Sequence, residues 1–228
     1  MFDLQRDGAV FVLRMKGGEN RLNRQFVDDF NRALDVVEAS EGEAALVTTG
    51  EERFYSNGLD LAWLATAGRE TFAPFLEDVH ALFARLLASP VATVAAINGH
   101  AFAAGAMLAL AHDFRVMRED RGFVCLPEVD LATGQPLTPG MYAVLQAKLS
   151  PAVLHEMLVT GRRYGGTDAA ALGIVTEAVP EADVLPRAIE VARGLAAKHR
   201  PTMAAIRAGL YESALATLRQ PVSDSILP

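Results

Sequence analysis

The sequence predicts an α/β fold with a helical C-terminal region. Predicted strands and helices alternate along the chain as far as Val179, and only helices are predicted after it. At its centre, residues 91–97 (VATVAAI) are small or β-branched, which is typical of a strand buried on both faces. The chain has 228 residues, 51% of them hydrophobic, and is long enough for one substantial core. We therefore expect an α/β core over residues 1–180 and a helical region over 181–228.

Turn and capping signals divide the first half of the chain. Residues 9–15 read as a strand and are followed by two glycines. Asn23 is a typical capping residue ahead of an amphipathic stretch, and residues 56–58 (SNG) have the composition of a turn. The elements predicted here are strands over 9–15, 44–48 and 91–97, and helices over 24–39, 59–65 and 70–88.

The second half begins with a turn at 98–100 and a helix over 101–111 that is apolar on every side and must be buried. The first turn of such a helix has free N–H groups and a partial positive charge, so it can stabilise an anion. The other predictions are strands over 113–117, 123–126 and 174–179, a loop over 133–139, helices over 140–148, 152–160, 184–199 and 202–218, and a short helix capped by Thr167 or Asp168.

The composition argues against several classes of protein. The net charge is −7 and no basic run occurs, so nucleic acid is not an expected partner. No apolar run is long enough to cross a membrane, and the first residues do not resemble a secretory signal. The final SILP differs from a peroxisomal SKL address, and the single cysteine, Cys125, excludes an internal disulfide. We expect a cytoplasmic protein that does not act on a membrane.

Several familiar catalytic motifs do not occur in the sequence. It contains no Walker A loop, no dinucleotide-binding GxGxxG, no GxSxG and no HExxH. The histidines and Cys125 have no metal-ligand spacing, so no metal is expected, and Cys125 lacks the basic neighbour that a nucleophile needs. Three stretches remain as candidates for the chemistry, namely 55–60, 98–107 and Pro127–Glu128.

These stretches resemble motifs of the enoyl-CoA hydratase/isomerase family, which has the crotonase fold. YSNGLDL (55–61) is similar to the family's F-S-x-G-x-D-L, and AAINGHAFAAGAMLAL (95–110) to A-x-x-N-G-x-A-x-G-G-G-x-x-L-A. LPEVDL (126–131) and TGRRYGGTDAAALGIV (160–175) resemble the family's P-E-x-x-L-G stretch and the piece that follows it. The resemblance covers nearly the whole chain. It implies a ββα superhelix core, a C-terminal helical trimerisation region, a homotrimer or dimer of trimers, and an acyl-CoA substrate.

In this family, two backbone N–H groups hold the thioester oxygen of the substrate in an oxyanion hole. By position, the resemblance implies the N–H groups of Asn57 and Ala104, although the second position is usually glycine. Such donors stabilise the enolate that forms when a proton next to the thioester is removed. The residues implied to contact the substrate are Ser56, Gly58, Leu59, Asp60, Trp63 and Met107.

The acidic residues distinguish hydration from isomerisation. Hydratases of the family use two glutamates to hold and split water, and here Met107 occupies the first position and Glu128 the second. One carboxylate can remove a proton from C2 of the acyl chain and return it at C4, which implies a Δ3,Δ2-enoyl-CoA isomerase. Asp130 lies two residues further along a segment expected to be extended, so its side chain should point away from Glu128.

Two alternatives stay open. One is another acyl-CoA reaction, such as hydration, thioester hydrolysis or decarboxylation, and the other is a silent relative that binds acyl-CoA without turnover. An apolar pocket should raise the pKa of Glu128 in any active form. Candidate wall residues are Met107, Trp63, Leu64, Leu137 and Tyr142, and candidate partners for the coenzyme A phosphates are Arg21, Arg24, Arg53, Lys198, Arg200 and Arg207.

Overall fold

The computed structural model describes residues 2–131 and 137–223, which form an α/β structure with two sheets. In chain order, the strands of this part are β1 (Phe2–Asp7), β2 (Val10–Met15), β3 (Ala45–Thr49), β4 (Phe54–Ser56), β5 (Ala92–Ile97), β6 (His100–Phe102), β7 (Phe114–Arg118), β8 (Val124–Cys125) and β9 (Glu177–Val179). The larger sheet has the order β1-β2-β3-β5-β7-β9 and the smaller one the order β4-β6-β8. All pairs are parallel except the hairpin of β1 and β2.

Helices make most of the crossovers that parallel pairing requires. Those described are α1 (Arg24–Ala39), α2 (Leu61–Ala67), α3 (Arg69–Leu87), α4 (Ala104–Ala111), α5 (Pro139–Lys148), α6 (Pro151–Thr160), α7 (Gly166–Ala171), α8 (Val184–Arg193), α9 (Arg200–Leu210) and α10 (Glu212–Leu218). Within the described ranges, no helix has the length and apolar character needed to cross a membrane.

The larger sheet is buried on both faces. Successive residues of a strand point to opposite sides, so Leu13 and Ile97 pack in one cluster with α1, α3 and α4, whereas Val12 and Val94 pack in a second cluster under α8. Strand β5, which is buried along its whole length, lies inside the sheet between β3 and β7, as its sequence predicts. Helix α8 therefore packs on the core sheet, although it falls in the predicted C-terminal region.

Several predicted boundaries differ from the structure. Strand β1 is absent from the sequence-based prediction because FDLQRD is polar, and it lies at the edge of the sheet where one side stays exposed. The predicted last helix is broken at Tyr211, and α8 ends at Arg193, next to glycines that weaken a helix. Neither Thr167 nor Asp168 caps α7, which begins earlier, after Gly165. The predicted loop over 133–139 lies largely outside the described residues.

The most important difference is strand β6. Residues 100–102 are expected to form a turn and the start of a helix, but His100 and Ala101 pair with β4, and Ala101 and Phe102 pair with β8. Pairing with two neighbouring strands outweighs the helix preference of the alanine-rich sequence. Helix α4 consequently begins three residues later than predicted, at Ala104.

A short parallel bridge fixes the backbone of the turn that follows β4. The Leu22 N–H donates to the Gly58 carbonyl, and the Asp60 N–H donates to the Leu22 carbonyl, each at 2.8 Å. Leu59 lies between Gly58 and Asp60, whose hydrogen bonds are both directed towards Leu22. Leu59 is therefore held in an extended conformation.

Two capping side chains reinforce this bridge. Asn23 caps α1 by accepting a hydrogen bond from the Phe26 N–H, as predicted, and its side-chain amide donates to Asp60 at 3.1 Å. Asp60 caps α2 by accepting a hydrogen bond from the Trp63 N–H. The starts of α1 and α2 are thereby connected directly.

Replacing Asn23 by alanine removes the cap of α1 and the hydrogen bond to Asp60. We expect Asn23→Ala to lower the free energy of unfolding by about 1 kcal/mol, the usual cost of a lost N-cap. Urea unfolding measures the change. The control is Arg32→Ala on the same helix, whose ion pair with Asp29 lies at the surface and should contribute less than about 0.5 kcal/mol. Equal losses in the two variants would contradict the capping role.

Candidate active site

The three candidate stretches of the sequence meet at one edge of the smaller sheet. Strand β4 ends at Ser56, β6 at Phe102 and β8 at Cys125, and all three strands run in the same direction. Ligands of parallel sheets usually bind at the carboxyl ends of the strands. The turn at 57–59, the start of α4 and Glu128 all follow these ends.

Two glycines allow the turn after β4 to lie directly on the start of α4. Gly58 has φ +79°, and a Cβ there would lie 3.0 Å from the Cβ of Ala103 and 3.3 Å from the nitrogen of Ala104. A Cβ on Gly105 would overlap the carbonyl oxygen of Ser56. A side chain at either glycine would force the two backbone segments apart.

The N–H group of Asn57 is already used within the fold. It donates to the carbonyl of Glu19 at 2.9 Å, and the Asn57 side chain donates to the Glu19 carboxylate, also at 2.9 Å. An N–H that forms a good hydrogen bond inside the protein is not available to a substrate oxygen. The structure therefore contradicts the prediction that Asn57 supplies a donor of the oxyanion hole, although its side chain lines the cavity described below.

Leu59, unlike Asn57, has a backbone N–H group that is available to a substrate oxygen. Its neighbours direct their hydrogen bonds towards Leu22, and successive peptide groups of an extended segment face opposite sides. The Leu59 N–H therefore faces away from Leu22 and has no acceptor in the described part of the chain. Sequence position alone does not reveal this, because the backbone partners of Asn57 and Gly58 lie 38 and 36 residues away in the chain.

The start of α4 supplies a second available N–H group. Ala104 is the first residue of the helix, and no acceptor for its N–H lies among the residues described. Ala103, just before it, has φ 51° and ψ −127°, a conformation that residues other than glycine rarely adopt. This strained turn directs the first turn of α4, with its partial positive charge, into the edge of the sheet.

A cavity of about 520 Å³ opens at this edge. Apolar side chains of α2, α3, α4 and α5 form most of its wall, and Met107 on α4 is the most deeply buried of those on that helix. The polar and charged residues of the wall are Arg21, Asn57, Cys125, Glu128, Asp130, Thr138 and Arg163. The cavity is large enough for a small organic ligand and is mostly apolar, as such sites usually are.

Glu128 is the desolvated acid of this cavity. It begins a short 3-10 turn after β8, and its Oε2 atom is buried with no hydrogen-bond partner among the described residues. Burial raises the pKa of the Glu128 carboxyl to about 7. Near neutral pH, both the protonated and the ionised forms are therefore populated, which suits a group that takes up and releases a proton.

Asp130 lines the same cavity as Glu128, contrary to the prediction that its side chain points away from Glu128. That prediction assumes an extended segment, but Glu128–Asp130 forms a 3-10 turn, in which residues two apart do not point in opposite directions. The carboxylate of Asp130 lies close to Gly161, where an added Cβ would be 2.5 Å from Oδ2. Unlike the carboxyl of Glu128, the Asp130 side chain is exposed.

Of the six residues predicted to contact the substrate, Leu59 and Met107 line the cavity, and the other four support it from behind. Ser56 is buried and donates its hydroxyl group to a backbone carbonyl at 2.7 Å. Gly58 is covered by the turn before α4, and Asp60 caps α2. These residues have structural partners that leave them little surface for a ligand.

Trp63 also lies outside the described cavity wall, because its ring packs on Phe75 with the ring centroids 4.8 Å apart. Among the predicted wall residues, Leu137 lines the cavity and Leu64 is buried in the core. Tyr142 faces a different cavity, between α5 and the last helices. The helical periodicity of these stretches identifies buried faces but not which neighbour each face contacts.

Two arginines line the cavity. Arg21 is one of the predicted partners of an anionic ligand, and Arg163, in the turn after α6, is not. A signal for Arg163 exists in the sequence, since it belongs to the TGRRYGG stretch that resembles the family. Both guanidinium groups are exposed and have the geometry for binding phosphate, with the Nε of Arg21 donating to Glu19 at 2.6 Å.

Three other predicted phosphate partners are engaged in the fold. Arg24 forms an ion pair with Asp78, and Arg200 donates to backbone carbonyls at the end of α1. Arg207 is buried and donates to Asp113 and to backbone carbonyls before β5. The remaining two candidates, Arg53 and Lys198, are exposed.

Cys125 behaves as a structural residue. Its thiol donates to the Gly161 carbonyl at 3.1 Å, and burial raises the pKa of Cys125 to about 11. A protonated thiol is a poor nucleophile, in agreement with the sequence-based interpretation. Among the residues that the structure describes, no group of three or more His, Cys, Asp or Glu side chains could hold a metal ion.

Comparison with known proteins identifies the family to which this chain belongs. A sequence model of the family described as enoyl-CoA hydratase/isomerase matches residues 5–222. The chain is therefore a member of the enoyl-CoA hydratase/isomerase family, a family of acyl-CoA enzymes. This confirms the resemblance inferred from the sequence motifs.

Individual relatives agree with this assignment. The peroxisomal enoyl-CoA delta isomerase 2 of Arabidopsis thaliana is 36% identical over 226 residues, which covers 92% of both chains. A carnitinyl-CoA dehydratase of Salmonella agona is 34% identical over 193 residues, covering 84% of this chain and 70% of the relative. The crystal structure of an enoyl-CoA hydratase from Mycobacterium marinum matches with a TM-score of 0.87 at 29% identity, over 96% of this chain and 94% of that one. The predicted crotonase fold is confirmed.

Ala103→Gly should relieve the strained turn before α4. Glycine adopts a positive φ without a Cβ clash, so we expect the free energy of unfolding to rise by about 1 kcal/mol. Urea unfolding measures it against Ala106→Gly in the interior of the same helix, which should instead lower that free energy by at least about 1 kcal/mol. A loss of stability in both variants would show that the turn is not strained.

Glu128→Gln should make folding stability less dependent on pH. The folded-state pKa of Glu128, about 7, lies above the ordinary value of 4.5, so burial of the ionised form destabilises the fold as pH rises through 7. We expect the stability gain of Glu128→Gln to be about 2 kcal/mol larger near pH 8 than near pH 5. Unfolding in urea at both pH values measures it, with the exposed Glu119→Gln as control. An identical gain at both pH values would argue against a desolvated carboxyl.

Proposed function

We propose that the protein is a Δ3,Δ2-enoyl-CoA isomerase, which converts 3-enoyl-CoA thioesters into conjugated 2-enoyl-CoA thioesters. The observation that carries this proposal is the arrangement of Glu128 and Met107 in one apolar cavity. Glu128 is desolvated and can exchange a proton near neutral pH, whereas Met107 stands where hydratases of the family have their other glutamate. The enoyl-CoA delta isomerase among the relatives supports the same reaction.

In the proposed reaction, Glu128 carries one proton from C2 to C4 of the acyl chain. The carboxylate removes the C2 proton, and the electron pair of that C–H bond moves into the thioester to form an enolate. The N–H groups of Leu59 and Ala104 hold the enolate oxygen, with the start of α4 adding its partial positive charge. Protonated Glu128 then delivers the proton to C4, and the double bond ends between C2 and C3. No water and no redox partner is consumed.

The rest of the cavity suits the rest of the substrate. Its apolar wall can exclude water from the enolate and cover an acyl chain. Arg21 and Arg163 are the lining cations that we assign to the negative charges of coenzyme A. The substrate carries the reacting group itself, so the proposed chemistry requires no cofactor.

Hydration of 2-enoyl-CoA is a second candidate, favoured by the presence of Asp130 in the cavity wall. Two carboxyl groups could hold a water molecule between them, and a dehydratase is among the relatives. Incubation with a 3-enoyl-CoA and with a 2-enoyl-CoA distinguishes the two candidates. An isomerase creates the ultraviolet absorbance of the conjugated thioester from the first substrate, and a hydratase removes that absorbance from the second.

The same incubations test the less favoured reactions. Release of free coenzyme A would indicate thioester hydrolysis, and loss of carbon dioxide from a carboxylated acyl-CoA would indicate decarboxylation. Tight binding of acyl-CoA without turnover of any of these substrates would identify a silent relative.

The cellular location and the oligomeric state of the enzyme are also proposals. We propose a cytoplasmic homotrimer or dimer of trimers, as the family resemblance and the lone, buried Cys125 suggest. The Arabidopsis relative is described as peroxisomal, so cell fractionation is the decisive measurement of location. Light scattering of the purified protein measures the oligomer.

Glu128→Gln should abolish isomerisation because the amide cannot accept the C2 proton. We expect kcat to fall at least about a hundredfold, while the affinity for a saturated acyl-CoA changes little. In the unmodified enzyme, kcat/KM should rise with pH and level off above the pKa of Glu128, about 7, since the carboxylate is the reactive form.

The matched control is Glu119→Gln, an exposed glutamate outside the described cavity wall, which should keep full activity. Asp130→Asn separates the two candidate reactions, because isomerisation should largely survive it and hydration should not. Isomerase turnover that persists in Glu128→Gln would show that the base is a different group.

A further inference from the structure

One wall of the apolar part of the cavity is backed by a buried hydrogen bond between α3 and the residue that precedes α5. Phe72 and Leu76 on α3 line the cavity, and His80 continues the same face of the helix one turn later. The Nε2 atom of His80 lies 2.7 Å from the hydroxyl oxygen of Thr138. Thr138 lines the cavity and also caps α5 by accepting a hydrogen bond from the Met141 N–H.

Packing alone does not explain a histidine at this position, because burying its polar ring costs free energy. Its side chain is 2% exposed, and Nδ1 has no hydrogen-bond partner among the described residues. The backbone of α5 lies directly on the ring, since a Cβ at Gly140 would be 2.8 Å from Nδ1. A leucine or methionine would fill such a space without leaving a buried polar atom unpaired. Burial lowers the pKa of His80 to about 4, so the ring is neutral and can border an apolar chain.

The cavity connects the reaction centre with this pair, because Glu128 and Thr138 both belong to its wall. The two available N–H groups and Glu128 mark the thioester end, and the charged lining residues Arg21 and Arg163 belong to a solvent-accessible rim. Met107 lies one turn further along α4, which packs against both α3 and α5. An acyl chain that leaves the thioester past Met107 can therefore reach Leu76 and Thr138, which line the same cavity.

We propose that the His80–Thr138 hydrogen bond forms the floor of the acyl-binding part of the cavity and limits the length of the acyl chain. The inference rests on the proposed binding of acyl-CoA in this cavity, but not on which reaction follows. His80 acts from behind Thr138, so it is a positioning residue that sets specificity. The ligand class that it selects is a fatty acyl-CoA whose chain ends at Thr138.

Calorimetric binding of saturated acyl-CoA thioesters of increasing chain length tests the proposal without turnover. In the unmodified protein, each added methylene group should tighten binding about fourfold until the chain reaches the floor, after which the gain stops. His80→Ala should move this limit to chains at least one methylene group longer. His80→Gln, which can still hydrogen-bond Thr138, should keep the original limit. His155→Ala, an exposed histidine on α6, should also leave it unchanged.

An unchanged length limit in a folded His80→Ala protein would overturn the inference. Should that variant fail to fold, the imidazole NMR signal of His80 in the unmodified protein gives a second test. Acyl chains at the length limit should shift this signal, and shorter chains should not. A signal that does not change with chain length would equally overturn the inference. Failure of every acyl-CoA to bind the unmodified protein would instead refute the proposed function, so the two failures are distinguishable.

Discussion

The site depends on one close contact between two backbone segments, where the turn at Gly58 lies on the start of α4. The contact leaves no room for a Cβ at Gly58 or Gly105, and it brings Leu59 and Ala104 to the same edge of the small sheet. Backbone N–H groups cannot be aimed by choosing a rotamer, so their direction is determined by the path of the chain. The bridge from Leu22 on one side and the strained turn at Ala103 on the other hold that path.

Helix α4 connects this contact to the interior. It is apolar and buried throughout, so its polar ends must be satisfied where they emerge. At its N-terminus the available N–H of Ala104 faces the cavity. At its C-terminus, Arg115 donates to the His112 carbonyl at 3.0 Å and Lys148 donates to the same oxygen at 3.1 Å. Both cations complement the negative pole of the helix. Burial, together with the neighbouring charge of Arg115, lowers the pKa of Lys148 to about 8.

The site residues that can be predicted are those that the family resemblance assigns by position in a short motif. Glu128, Ala104 and Met107 are of this kind, and the structure brings all three to one cavity. The choice between Asn57 and Leu59 was not accessible, because it depends on which N–H is taken by the distant Glu19 carbonyl. Strand β6 is not predictable for a similar reason, since its alanine-rich sequence favours a helix and only pairing with β4 and β8 makes it a strand.

The division of the fold into two sheets affects which substitutions can alter the stability of this enzyme and which can alter its selectivity. Within the described residues, the cavity wall takes side chains from the smaller sheet, from helices and from loops, and none from the six-stranded sheet. The larger sheet can therefore stabilise the fold without contributing a described residue to the cavity wall. Substitutions in the cluster between this sheet and α8, which contains no described residue of the cavity wall, can change thermal stability and leave the chemistry intact. Stability and selectivity can therefore evolve, or be engineered, separately.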